Sequence, residues 1–173
     1  MRTVVVILLV AALGGSASAA RHVDPSEPTT DASRAGTLTS PPAPLASPLR
    51  VVRDFAPPQN RYGRGHRGVD LAAGPGAEVR VSAPGVVLWA GPLAGRGVVS
   101  VRHGALRSTF EPVSARVSAG DEVAAGTVIG VLQPGHPGCP AEACLHWGLR
   151  SDDRYFDPFL LLGASVRLLP RGR

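Results

Sequence analysis

A chain of 173 residues with 18 arginines, no lysine, 13 acidic residues and a formal charge of +5 stays cationic at neutral pH, because a guanidinium keeps its proton there. Two cysteines exclude a miniature scaffold stapled by several disulfides, so apolar packing must hold what is, at this length, one folded domain. The missing lysine excludes a carrier domain that attaches its cofactor to that side chain.

Residues 1–19 read as an export signal: Arg2, then an apolar run from Val4 to Leu13, then the small-x-small pattern of Ala17-Ser18-Ala19. The run is shorter than the roughly 20 residues a bilayer span needs, and no cysteine follows it, so no stable membrane anchor is expected after cleavage. Residues 20–47 are rich in Pro, Ser, Thr and Ala with few large apolar side chains, and are predicted to be a disordered tether. An exported chain rarely meets DNA. The arginines stand singly among Val, Ala and Gly rather than with aromatics, so nucleic acid is not expected as a partner.

From residue 48 the pattern changes to short Val-rich runs broken by Gly, Pro and Asp, the mark of many short strands with tight turns. Strands are predicted at 78–82, 85–90, 98–103, 107–111, 127–132 and 144–150. One helical turn is expected after Asp157, an N-cap followed by Pro158 at the first helical position and then Phe159-Leu160-Leu161-Leu162. The expected fold is all-β, an antiparallel sheet domain over 48–165 with a short C-terminal helical turn, followed by a basic tail at 166–173.

Two clusters carry candidate chemistry. In His66-Arg67-Gly68-Val69-Asp70 an imidazole and a carboxylate four residues apart can converge on one ion if the chain bends, and Gly63, Gly65 and Gly68 ease the bend. In Cys144-Leu145-His146-Trp147 a strand would send Cys144 and His146 to one face and Leu145 and Trp147 to the other, separating a functional face from a core face.

Taken in order, His66-x-x-x-Asp70, Val79-x-Val81-x-Ala83-Pro84, Val117-x-x-Gly120-Asp121-x-Val123-x-x-Gly126-x-x-Ile129-Gly130 and Leu145-His146-Trp147 resemble the lysostaphin and LytM type of zinc endopeptidase over about residues 63–162. The resemblance implies a β-sheet groove of the duplicated-hybrid-motif fold in which His66, Asp70 and His146 bind Zn²⁺. Three protein ligands leave a position for water, the pattern of catalytic zinc. It further implies hydrolysis of peptide bonds in the stem peptides or cross-bridges of peptidoglycan, by a monomer acting outside the cytoplasm at the anionic cell wall. The segments 92–96 and 133–143 are expected to wall the groove and set specificity.

The chain departs from the family pattern at two places. A histidine usual at the first position of the strand motif is replaced by Cys144, and the family's Tyr-x-His-Leu is matched by Phe110-Glu111-Pro112-Val113, with Pro112 at the histidine. Either substitutes restore proton transfer, for which His136 and Glu111 are the candidates, or the domain is a catalytically impaired, zinc-containing wall-binding or regulatory module. Glu111, as the neighbour of Pro112, is expected to face away from the groove. His103, beside Gly104, is assigned to structure. Cys139 and Cys144, five apart in an exported chain, are expected to form a disulfide, the rival being a Cys144 thiolate on zinc.

Overall fold

The computed structural model describes residues 40–60 and 63–163. The residues read as an export signal and as a basic tail, and most of those read as a tether, lie outside the described residues. The strands are β1 (Arg50–Arg53), β2 (Gly68–Ala73), β3 (Glu78–Arg80), β4 (Gly85–Leu93), β5 (Arg96–His103), β6 (Leu106–Glu111), β7 (Val113–Ala115), β8 (Glu122–Val123), β9 (Val128–Leu132), β10 (Ala143–Ser151) and β11 (Arg154–Phe156). All pairings are antiparallel: one sheet runs β1-β2-β10-β6-β5-β4-β8 with β11 against β10, and a smaller one runs β3-β9-β7. Each of the six predicted strands is present. Five further strands form outside the predicted ones, β1, β2, β7, β8 and β11, the last three with only two or three residues each.

Alternation along β10 and β6 sends Leu145, Trp147, Leu149 and Phe110 into the core, which they share with Leu71 of β2 and with Ile129 and Leu132 of the small sheet. Burial of these large side chains is the main stabilising term, at about 1.5–3 kcal/mol for each. The C-terminal turn forms as a 3-10 helix, Pro158–Leu162, capped by the Asp157 carboxylate, which accepts from Phe159 N at 3.0 Å. Gly163, left-handed at φ 69°, ends it after five residues. Phe159 meets Trp147 edge to face, with ring centroids 5.9 Å apart.

The packed region begins earlier than the composition change near residue 48 suggests. Leu45 is only 4% exposed and belongs to the core, and the Pro44 carbonyl accepts from Arg80 N at 2.9 Å. A single leucine among prolines is too little apolar content to flag a packed segment in sequence. Among the described residues, no helix is long and apolar enough to cross a membrane.

Candidate metal centre

Strand register assembles the centre. β2 pairs with β10 so that Asp70 stands directly opposite His146, and β10 pairs with β6 so that His146 stands opposite Glu111. Directly opposed residues share a sheet face, so the three form one row across three strands. A cross-strand bridge sets His66 just ahead of β2, with Ala56 and His66 exchanging N–H···O bonds of 3.0 and 2.6 Å. Gly68 lets β2 and β10 lie this close, since a Cβ there would stand 2.3 Å from the Trp147 carbonyl oxygen and 2.9 Å from His146 Cε1.

His66 Nε2, Asp70 Oδ1 and His146 Nδ1 form a triangle with sides of 3.0, 2.8 and 3.1 Å. These are the three residues the sequence nominated, brought together from positions up to 80 residues apart. His66 and Asp70 are buried and His146 is half-buried. His66 Nδ1–H donates to the Asp54 carbonyl at 2.7 Å, which holds the Nε2 lone pair toward Asp70 and His146. Nothing in the sequence points to Asp54, because it contributes a backbone atom.

Burial by itself would raise the Asp70 pKa. The hydrogen bond to His146 and the electrostatic attraction of His146, His66 and His136 outweigh it and hold this carboxyl below its usual 3.8. An inward imidazole lone pair, a carboxylate oxygen and a second ring nitrogen, all within hydrogen-bond distance, form a donor set that a cation or a proton must bridge. Two imidazoles and one carboxylate suit zinc, with a position left for water.

The other nominated residues divide. The His136 ring stacks on that of His146, with centroids 5.9 Å apart and planes at 15°, and its Nε2 stands 3.6 Å from Asp70 Oδ1. Its Nδ1–H donates to the Pro137 carbonyl at 3.1 Å, which leaves Nε2 an acceptor facing the centre. Glu111, expected to face away, instead shares the face of His146, because β6 keeps its register to the last residue before Pro112. Both its oxygens are engaged by Arg96, at 3.1 Å from Nη2 and 3.0 Å from Nε.

Cys139 and Cys144 are joined in a disulfide, their Cα atoms 5.7 Å apart, so the Cys144 sulfur is not among the ligand atoms. His103 is structural: Nδ1–H donates to the Pro84 carbonyl at 2.8 Å, and Nε2 accepts from the Ser108 hydroxyl at 2.7 Å.

A cleft of about 490 Å³ opens over the triangle, walled by Ala94, Gly95 and Arg96 on one side and by Gly135, His136 and Pro137 on the other. The first wall is the β4–β5 hairpin, whose two-residue turn has φ 49° at Ala94 and 81° at Gly95. It delivers Arg96 to Glu111. A lone arginine after a glycine carries no signal in sequence for that pairing.

The sequence profile of Peptidase family M23 matches residues 64–158. A Mycobacterium tuberculosis protein, Rv2891, is 50% identical over 133 residues, covering 73% of this chain and 53% of its own, so the chain spans about half the length of that relative. Among solved structures, the catalytic domain of a mutant of the prophage-encoded M23 protein EnpA from Enterococcus faecalis is 25% identical, with a TM-score of 0.53 over 69% of this chain and 94% of its own. The catalytic domain of lysostaphin, an antimicrobial peptidase from Staphylococcus simulans, shares the fold at 22% identity, with a TM-score of 0.57 over 67% of this chain and 93% of its own.

Proposed function

The chain belongs to peptidase family M23, and from that premise we propose that it is an exported zinc endopeptidase that cleaves peptide bonds in peptidoglycan stem peptides or cross-bridges. The observation that carries this reading is the His66–Asp70–His146 triangle, which opens onto a cleft and has an acceptor imidazole beside it. A disulfide between the two cysteines accords with an oxidising compartment outside the cytoplasm.

His66, Asp70 and His146 would hold the ion. Once bound, zinc supplies Lewis acidity to a peptide carbonyl and lowers the pKa of a bound water to about 7. The protein's part is proton movement and placement. His136 Nε2, an acceptor at the cleft wall, is the group positioned to take a proton from the attacking water and return it to the departing amine. It thereby stands in for the family histidines replaced by Pro112 and Cys144. Glu111, tied up by Arg96, fixes the hairpin wall rather than moving protons.

The second reading, a zinc-containing wall-binding or regulatory module, draws on that same engagement of Glu111, which leaves His136 as the one nominated substitute for two missing histidines. Digestion of purified sacculi with and without a chelator decides between them. Chelator-sensitive release of new amino termini is expected; stoichiometric zinc with no release would establish the module.

A further inference from the structure

The face that carries the metal triangle continues along the strands in two further rows. The next row is built of small residues, Gly68 opposite Gly148, Gly148 opposite Thr109 and Thr109 opposite Ser100. It forms the floor of a trough. Beyond it Arg150 stands directly opposite Arg107, one arginine on each of two hydrogen-bonded strands.

These rows line a cavity of about 460 Å³ that shares His146 and Glu111 with the metal cleft and has Trp89 on its wall. Trp89 is 45% exposed. Four residues of strand separate His146 from Arg150, so the arginine row lies about 13 Å along the trough from the metal row, or about four residues of an extended peptide.

Within the protein this arrangement is costly. Like charges directly opposite each other on paired strands are destabilising. Arg107 Nε is buried with no hydrogen-bond partner, and so is Ser100 Oγ, which lines the same cavity. Burial, and then the charge of Arg150, depress the Arg107 pKa below its usual value. Among the described residues, Glu111 is the one acidic side chain lining the cavity, and it stands at the metal end in the grip of Arg96. A repulsive pair of guanidinium groups lining a trough that leads to a metal centre calls for an anion supplied from outside.

We propose that Arg107 and Arg150 form a carboxylate-recognition subsite, so that the substrate is a peptide bearing a free carboxylate within about four residues of the bond that is cut, rather than an uncharged glycine bridge. The guanidinium fork pairs with a carboxylate through two parallel hydrogen bonds, and a carboxylate between two arginines removes their mutual repulsion. The aliphatic part of the peptide lies on the small-residue floor against Trp89. The place of the cut bond rests on the endopeptidase reading; the recognition of the carboxylate does not.

The test uses two synthetic stem peptides that are identical except that the internal carboxyl groups are free in one and carboxamides in the other. Affinity for the zinc-loaded chain is measured by calorimetry, and cleavage is scored in parallel. The free acid is expected to bind tenfold to a hundredfold more tightly than the amide, and Arg107→Gln and Arg150→Gln to erase that preference while zinc content holds at one per chain. Equal affinity for the two peptides, or no measurable binding of either, overturns the subsite, and this comparison needs no variant to fold. A preference without cleavage leaves the subsite standing and removes the hydrolase; cleavage without a preference does the reverse.

Discussion

His136 Nε2 lies 3.6 Å from Asp70 Oδ1, although the first residue sits in a loop without strand pairing and the second is locked in β2 between two other strands. The contact puts a proton acceptor at the edge of the ligand triangle without making it a ligand. His136→Ala should therefore lower turnover of sacculi by a hundredfold to ten-thousandfold while leaving one zinc per chain. Turnover equal to wild type would remove His136 from the mechanism. His146→Ala should do the opposite first, abolishing stoichiometric zinc in metal analysis, because it removes one corner of the triangle.

The Cys139–Cys144 disulfide pins the chain just after His136 to β10, where Cys144 is fixed by strand pairing two residues before His146. Replacing both cysteines by alanine should lower stability by about 2 kcal/mol, the entropy of closing so short a loop. Turnover should fall further than zinc affinity, since Asp70 and His146 reside on paired strands and His66 is held by a bridge to Ala56, whereas His136 has neither support. Denaturant midpoints beside metal titration check this, and an equal loss of both would place the disulfide's role in the metal centre itself.

Gly68→Ala tests the close approach of β2 to β10. The added Cβ would lie 2.3 Å from the Trp147 carbonyl oxygen, a backbone atom that cannot swing aside, so the strands must part. A loss of about 1–3 kcal/mol is expected, accompanied by weaker zinc binding, because Asp70 and His146 face each other across the same pair of strands. Zinc affinity unchanged in a destabilised variant would show that the ligands adjust independently of that spacing.

Asp70 has a folded-state pKa below its usual 3.8, so in the metal-free chain its ionised form is favoured by folding. The sign follows: this stabilisation is complete above pH 3.8 and is lost as pH falls through the lower folded-state value. Denaturant unfolding in chelator should show Asp70→Asn less stable than wild type at pH 6, with the gap closing in strong acid. A gap independent of pH would mean that the histidines do not act on Asp70 through its charge.

Much of the centre was legible because its chemistry sits in side chains of rare type at fixed spacing. His66, Asp70 and His146 stand out in a chain with five histidines, and their motifs follow in the order the family uses. The orientation of Glu111 was not legible, since it depends on β6 holding register with β10 up to Pro112, a matter of pairing rather than of composition. Leu45 was missed for a related reason: its burial is conferred by the surface it meets, while its own neighbours read as a tether.

Alternation made the all-β class legible, cysteine number the disulfide, and the order of four motifs, through the family they resemble, the three candidate metal-binding residues. Only the tertiary structure decided that Asp54 orients His66 through a carbonyl, that Arg96 occupies Glu111, and that Arg107 faces Arg150 along the trough from the metal row. Each of these is a contact between strands or loops distant along the chain. Register sets such contacts, and a shift of one residue would send every side chain in the row to the opposite face.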